Sequence, residues 1–414
     1  MGTGLTCLVT IHGIGFQQPP MKDGTPGYAD GLHLHLRKGL GDRLNDDPNR
    51  NRSQPGEAGP IYVSSSWPPG SDNLEAGLKR LGTWKPGIAG LDTVNAPLGG
   101  KQGISHVALV YSQLEDDAPR PGAAIEAAAR TVVSLHQYAT IRAAVHMLVS
   151  DVTAMLTPPQ HDVETPSLQP RTDLPPEKRH LTAAIYSQTA PISPPGGAAH
   201  ASIIGTIRHL EDDVAAYVAR NDLRERVRAF VREALLRLVH RDDVSRVVVN
   251  AHSHGTVVAF DVLREMSGFS IPKVQWFITA GSPLRKYSDF FCWGTEAGSL
   301  KQVAGWTNFW DERDPVADPL APPQSWRPGT DPAVARGGAG MYQALDANQG
   351  QLVDLEIEDQ KVDNLQHSQG GGLQAHNYWD NEVEVIPAMA SLLTRLDTGS
   401  PQLRARALTS APAR

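Results

Sequence analysis

Short runs of apolar and β-branched residues recur along the chain and predict the strands of a sheet. Several of these runs are continuously apolar rather than alternating with polar residues, which is typical of parallel strands that are covered on both faces. The predicted strands lie at 5–12, 61–67, 106–112, 244–250, 274–281, 303–310 and 352–359.

Segments with apolar positions at helical spacing lie between these strands. Helices are predicted at 29–44, after the first strand, at 256–266, after the fourth, and at 381–397, near the end of the chain. Because strands and helices alternate in this way, we expect an α/β fold with a doubly wound, mostly parallel sheet and right-handed crossovers.

One long stretch, 113–243, departs from this alternation. Helical patterns at 123–156 and 202–243 lie on either side of a segment that is rich in proline and poor in large apolar residues. We interpret the stretch as an α-helical insertion or cap with a Pro-rich loop. The predicted plan is a first part of the core at 1–112, the insertion at 113–243, a second part of the core at 244–398 and a disordered tail at 399–414.

Composition narrows the class of protein. The 414-residue chain is 40% hydrophobic and 20% charged, which is typical of a soluble globular protein. A net charge of −7 gives no reason to expect a nucleic acid or an anionic membrane as partner. The two cysteines predict a reduced, cytoplasmic compartment, although a single disulfide stays open as an alternative. We expect no secretory signal, because no basic region precedes the first apolar run, and no transmembrane segment.

The sequence VVVNAHSHGTVVAF, residues 247–260, places a serine on a predicted strand-to-helix turn. Ala251 and Gly255 stand two positions before and after Ser253, and small residues there let the strand and the helix cross closely. The pattern is typical of a nucleophile elbow and predicts that Ser253 is a nucleophile. The alternative is that Ser253 only caps the helix. We expect the neighbouring His252 to pack below the elbow.

A glycine-rich turn follows the first predicted strand, with Gly13 and Gly15 on either side of Ile14. The Ile14 N–H and the N–H of His254, next to the candidate nucleophile, are predicted to form a two-donor oxyanion hole. A strand–GxG–helix pattern also fits dinucleotide binding, but Gln18 stands where the third glycine is expected.

The acid that orients a catalytic base should follow a late strand, and three aspartates do so. We select Asp314 because Pro315 and Val316 fix an extended turn directly after it. Asp311 is the main alternative and Asp318 a further one, and an aspartate at such a place also serves simply to cap a loop.

The order Ser, Asp, His leaves two of the 15 histidines as candidates for the base. His367 lies in a glycine-rich segment, which is a poor place to hold an imidazole rigidly. His376 lies beside Tyr378 and Trp379, just before the last predicted helix, where aromatic packing can fix the ring. His376 is therefore the predicted base.

Together, these motifs resemble the α/β-hydrolase superfamily, and its bacterial and fungal lipase branches are the most similar. The first-strand HGIG and the elbow AHSHG are similar to small bacterial lipases, and TAGSPL followed by DPVADPL is similar to the class-3 lipase group. The sequence departs from the usual pattern at Ala251, where glycine is usual, and in the large insertion. The resemblance covers roughly 5–45, 244–320 and 352–397.

The resemblance implies an α/β-hydrolase fold with a Ser253–Asp314–His376 triad and with Ile14 and His254 as oxyanion donors. The corresponding function is a serine esterase or lipase that cleaves a small-molecule or lipid ester through an acyl-enzyme, without a metal or a cofactor. The same triad would serve a thioesterase, an amidase or an acyltransferase. A non-catalytic hydrolase-fold protein that binds a ligand is the alternative from a different class.

Overall fold

The computed structural model shows the strands and helices that surround the candidate residues. It describes residues 4–13, 19–20, 26–50, 58–65, 74–87, 90–94, 96–111, 217, 221–266, 273–285, 303–314, 316–321, 342–346, 351–368 and 374–398. The strands are β1 (Leu5–Ile11), β2 (Leu44–Asn45), β3 (Ile61–Ser64), β4 (Thr83–Gly87), β5 (Gly90–Val94), β6 (Ile104–Val110), β7 (Val244–His252), β8 (Val274–Ala280), β9 (Gly305–Trp310), β10 (Gln343–Asp346), β11 (Gln351–Asp354) and β12 (Ile357–Lys361). The helices are α1 (Asp30–Leu40), α2 (Leu74–Leu78), α3 (Asn221–His240), α4 (Gly255–Glu265), α5 (Asn364–His367) and α6 (Val385–Thr398).

Eight strands form the main sheet in the order β12–β9–β8–β7–β1–β6–β2, and β3 also pairs with β6. Every pairing in this sheet is parallel. Two further pairs, β4 with β5 and β10 with β11, are antiparallel and separate from it.

Helices cover both faces of the sheet. Because successive side chains of a strand point to opposite faces, Val9 and Ile11 of β1 pack with α3 and α4, whereas Leu8 packs with α1 and α6. Burial on both faces explains why the strands have continuously apolar sequences. The predicted doubly wound, mostly parallel α/β fold is confirmed.

The strand order reverses at the centre of the sheet. On one side of β1 lies β6, with β2 and β3 beyond it. The chain then crosses to β7 on the other side of β1 and continues outward to β8, β9 and β12. In open parallel sheets, ligands bind outside the carboxyl ends of the strands at such a reversal. Ser253 directly follows the carboxyl end of β7 and so lies at this place.

Most elements begin or end one to four residues from their predicted bounds, and two of the differences have a clear physical reason. The first helix ends at Leu40 rather than at residue 44, because Gly41 adopts a φ of 55° that stops the helix, and a short strand then begins at Leu44. The single strand predicted at 352–359 is two strands in the structure. β11 pairs with β10, whereas β12 joins the main sheet beside β9.

Most of the predicted insertion, residues 113–216 and 218–220, lies outside the described residues. The final part of the 113–243 stretch is described from residue 221, where α3 packs Phe230, Val231 and Leu235 into the core with the sheet. The cap, the domain boundaries and the disordered tail at 399–414 stay predictions. None of the helices in the described ranges has the length and apolar character needed to cross a membrane.

Candidate active site

The strand-to-helix turn holds Ser253 in an unusual backbone conformation. Ser253 has a φ of 54°, and no other non-glycine residue in the described segments has a positive φ. Its N–H donates to the Ala280 carbonyl at 2.9 Å, and its carbonyl accepts from the Thr256 hydroxyl at 2.7 Å. Such strain persists only where the surrounding structure enforces it, and it is typical of functional sites.

Two glycines allow this turn to form. A Cβ at Gly255 would lie 2.2 Å from the His12 carbonyl oxygen, so only glycine lets the start of α4 cross the end of β1. A Cβ at Gly13 would lie 2.3 Å from the Ser253 Cβ and 2.9 Å from its Oγ. Gly13 therefore lies directly against the candidate nucleophile.

Asp314 and His376 are hydrogen-bonded to each other. The Asp314 Oδ2 accepts from His376 Nδ1 at 2.7 Å and from the Tyr378 hydroxyl at 2.8 Å, and Oδ1 accepts from the Val316 N–H at 2.9 Å. Burial alone would raise the pKa of Asp314, but His376 and these donors outweigh it and hold the pKa below its usual value. Asp314 is therefore a carboxylate that is fixed on the imidazole.

The other candidates for acid and base lie elsewhere. Asp311 accepts from the backbone N–H groups of Arg313 and Asn364, at 2.8 and 2.7 Å, and so holds its own loop and the start of α5. Asp318 is buried and has no hydrogen bond or ion pair to His376. No hydrogen bond or ion pair among the described residues joins the His367 side chain to any of the three aspartates.

The His376 ring lies over the end of β8, the strand that neighbours β7. A Cβ at Gly281 would lie 2.7 Å from His376 Cε1 and 2.9 Å from Tyr378 Cε2, so this glycine makes room for the ring. His376 Nε2 is buried and has no hydrogen-bond partner in the part of the chain that the structure describes. Ser253 and His376 thus lie at neighbouring strand ends but are not hydrogen-bonded in this structure.

The two predicted oxyanion donors are placed differently. His254 directly precedes Gly255, the first residue of α4, so its backbone N–H lies at the helix N-terminus. Its ring packs edge-on against Tyr217, with centroids 4.7 Å apart, and burial lowers its pKa to about 3. Ile14 lies outside the described residues, although the preceding Gly13 touches Ser253.

Three residues, Tyr378, His252 and Tyr111, support the site through hydrogen bonds that the sequence did not predict. The Tyr378 hydroxyl donates to Asp314 and accepts from the Asp311 N–H at 2.8 Å, where only aromatic packing was expected. His252 does pack beside the elbow, but it also donates to the His376 carbonyl at 2.9 Å. The Tyr111 hydroxyl donates to the His12 carbonyl at 2.7 Å, at the turn that Gly255 crosses. The only sequence signals were an aromatic residue beside the base and a histidine beside the nucleophile.

The chemistry of the site follows from its groups. At the carboxyl edge of the sheet an imidazole and a carboxylate are hydrogen-bonded to each other, and a serine hydroxyl follows the neighbouring strand. Groups of these three types can move a proton and form a covalent bond. In the segments that the structure describes, no group of three His, Cys, Asp or Glu side chains could hold a metal ion.

Comparisons of the chain with protein-family models, with curated proteins and with solved structures find no match. The structure itself shows a parallel α/β sheet with helices on both faces, an architecture that hosts many unrelated activities. The functional assignment therefore depends on the geometry around Ser253, Asp314 and His376.

Proposed function

We propose that the protein is a serine hydrolase of the α/β-hydrolase type that cleaves a carboxylic ester of a small molecule or a lipid. The observation that carries this proposal is the 2.7 Å hydrogen bond between Asp314 and His376 Nδ1, beside a serine at a strained turn. This hydrogen bond leaves Nε2 as the basic nitrogen of the ring. Nε2 has no partner within the described ranges, so its lone pair is available to a substrate-facing hydroxyl.

In the proposed reaction, Ser253 Oγ forms a bond to the carbonyl carbon of the ester while its proton passes to His376 Nε2. The imidazolium then gives this proton to the oxygen of the departing alcohol as the bond between that oxygen and the carbonyl carbon breaks. Water next attacks the acyl-enzyme, with Nε2 taking its proton and returning it to Ser253 Oγ as the acid leaves. Asp314 holds Nδ1–H and stabilises the imidazolium.

The oxyanion that forms on the carbonyl oxygen needs hydrogen-bond donors. We assign one donor to the His254 N–H, because the N-terminus of α4 carries partial positive charge that favours an anion there. We assign the second donor to the Ile14 N–H. The contact between Gly13 and Ser253 supports this assignment, since Gly13 directly precedes Ile14 in the chain.

The rival interpretation of the glycine turn, dinucleotide binding, has less support. Its glycines would allow a pyrophosphate to approach the backbone closely, whereas the close approach at Gly13 is made by the Ser253 side chain. A thioesterase, an amidase or an acyltransferase shares the acyl-enzyme with an esterase. A panel of oxygen esters, thioesters and amides of the same acyl group separates these activities, and we expect the oxygen esters to react fastest.

A fluorophosphonate probe tests the proposal directly, because it reacts with an activated serine. We expect covalent labelling of the wild-type protein and none of Ser253→Ala. Ser245→Ala is the matched control, since Ser245 lies on β7, the strand that leads to Ser253, but its hydroxyl is hydrogen-bonded to the carbonyls of Gly4 and Leu5. This control should label as the wild type does. A wild-type protein that is folded and does not label would overturn the proposal in favour of a ligand-binding protein.

A further inference from the structure

His252 connects the nucleophile's strand to the loop that carries the candidate base. It is the last residue of β7, immediately before Ser253, and its side chain is buried. Its Nε2 donates to the backbone carbonyl of His376 at 2.9 Å, and the two rings lie with centroids 4.6 Å apart. Because a carbonyl oxygen only accepts hydrogen bonds, this contact fixes His252 in the form that carries its proton on Nε2.

The loop around His376 is held by side chains at three successive carbonyls. Asn364 Nδ2 donates to the Ala375 carbonyl at 2.7 Å, His252 to that of His376, and Ser368 Oγ to that of Asn377 at 2.6 Å. Asn364 is the first residue of α5 and Ser368 directly follows this helix, so both shortly precede the loop in the chain. Of the three, only His252 comes from β7, the strand that ends directly before Ser253.

The hydrogen bond from His252 is the one of the three that affects the distance between Ser253 and His376. Asn364 and Ser368 keep the loop folded, but they do not tie it to β7. The hydrogen bond from His252 ties the loop to β7. It joins the backbone of His376 to the residue that directly precedes Ser253. A loss of this bond would allow the imidazole to shift while its contact with Asp314 stays intact.

The charge state of His252 suits such a role. Burial, and then the neighbouring His376, lower the pKa of His252 to about 3. Its ring is therefore neutral over the pH range in which the site would work. A neutral ring beside His376 does not oppose the positive charge that His376 acquires when it takes the proton from Ser253.

We propose that His252 is a positioning residue, whose hydrogen bond to the backbone of His376 sets the separation between the Ser253 hydroxyl and the His376 imidazole. The inference rests on the proposed function and adds to it a residue that neither touches the substrate nor transfers a proton. It concerns the geometry of the base rather than the identity of the bond that is cleaved.

Two substitutions separate the hydrogen bond from the packing. His252→Phe keeps a ring of similar shape but has no donor, whereas His252→Gln places an amide N–H near the position of Nε2. His240→Phe is the control, because the His240 ring also donates to a backbone carbonyl, that of Leu236 at 2.8 Å, but on the exposed face of α3. Each full-length variant is compared with the wild type in its thermal midpoint, its labelling rate with a fluorophosphonate, and its kcat and KM with p-nitrophenyl butyrate.

We expect His252→Phe to lower the labelling rate and kcat by about 10- to 100-fold with KM changed less than about threefold, since the hydrogen bond positions a reacting group. His252→Gln should recover most of this loss, and His240→Phe should match the wild type. A His252→Phe variant that labels at the wild-type rate would overturn the inference. The inference would also be overturned if the Phe and Gln variants lost labelling rate and kcat equally, with a matching fall in thermal midpoint. Failure of the wild type itself to label would instead refute the proposed function.

Discussion

Histidines at two places on the same face of the sheet, the interior and the carboxyl edge, differ in their hydrogen bonds. In the interior, His106 Nε2 bonds to Thr10 Oγ1 at 2.8 Å, His106 Nδ1 bonds to His33 Nδ1 at 3.2 Å, and His33 Nε2 bonds to Asp46 at 3.0 Å. Every ring nitrogen of this interior pair, His33 and His106, has a protein partner. At the carboxyl edge, His376 uses Nδ1 for Asp314 and leaves Nε2 without a partner in the described part of the chain.

The presence or absence of a partner on each ring nitrogen distinguishes a structural histidine from a candidate base. A buried polar atom without a partner costs free energy, so native structures keep few of them. The interior pair avoids this cost with a closed set of hydrogen bonds. At His376 the unpaired nitrogen belongs to a ring that packs on His252, the residue directly before the strained Ser253. A substrate hydroxyl is the kind of group that such a nitrogen can accept a proton from.

The largest effect should come from removing the unpaired nitrogen. We expect His376→Ala to lower kcat with an ester substrate by about 10⁵-fold or more, because the proton of Ser253 then has no acceptor. The thermal midpoint should also fall, because the buried Asp314 carboxylate loses its Nδ1–H donor, so kcat is compared for the folded fraction. Steady-state kinetics and thermal unfolding of the same preparation measure both quantities.

For the interior pair, we expect a substitution to lower stability and to leave catalysis nearly unchanged. His106→Ala removes the partner of Thr10 and His33 and leaves a cavity, so we expect the free energy of unfolding to fall by about 2–4 kcal/mol. The kcat of the folded fraction should stay within about threefold of the wild type. If His106→Ala abolished activity without loss of stability, the distinction between the two sets would be wrong.

A second effect should appear as acid lability, because the structure holds several histidines in neutral form. Burial lowers the pKa of His12 and His33 to about 4 and that of His252 and His254 to about 3. Burial also holds the pKa of His106 well below the ordinary value of 6.5. Below pH 6.5 the unfolded chain binds protons that the folded chain does not, so stability falls as the pH falls toward 4.

Each of these histidines should contribute about 1.4 kcal/mol per pH unit between its two pKa values. Denaturant unfolding at pH 7.5, 6.0 and 5.0 measures the slope, with the loss confined to the range below about pH 6.5. A free energy of unfolding that stays constant from pH 7.5 to 5.0 would show that these rings are not held neutral.

The smallest effect on activity should come from filling the space that Gly281 leaves for the His376 ring. Gly281→Ala places a Cβ 2.7 Å from the His376 ring, so we expect the ring to shift and kcat to fall by about 100-fold. Gly41→Ala is the matched control, because Gly41 also has a positive φ, 55°, but its Cβ would meet open space. Both variants should lose about 1–2 kcal/mol of stability from backbone strain, and only Gly281→Ala should lose activity.

Much of the fold was predictable from local patterns. Strands that are buried on both faces have continuous apolar sequences, and the elbow requires small residues because Gly255 meets the His12 carbonyl. The short strands β2, β4, β5 and β10 were missed, since two to five residues carry too little periodicity to predict a strand. The break between β11 and β12 was also missed, because only their pairing partners distinguish them.

The candidate site was predictable in its residue types but not in its contacts. Sequence order left Asp311 as a rival to Asp314, and only the fold places Asp314 on His376, 62 residues further along the chain. The bond from His252 to the His376 carbonyl spans 124 residues. Contacts over such separations depend on the packing of whole strands, which no local pattern encodes.

The most direct test of the account is a crystal structure of the wild-type protein after reaction with a fluorophosphonate. We expect the phosphorus to be bonded to Ser253 Oγ, with His376 Nε2 about 3 Å from an oxygen of the adduct and Nδ1 still on Asp314. An adduct on another residue, or an imidazole too far from the adduct for a hydrogen bond, would contradict the proposed meeting of these three groups.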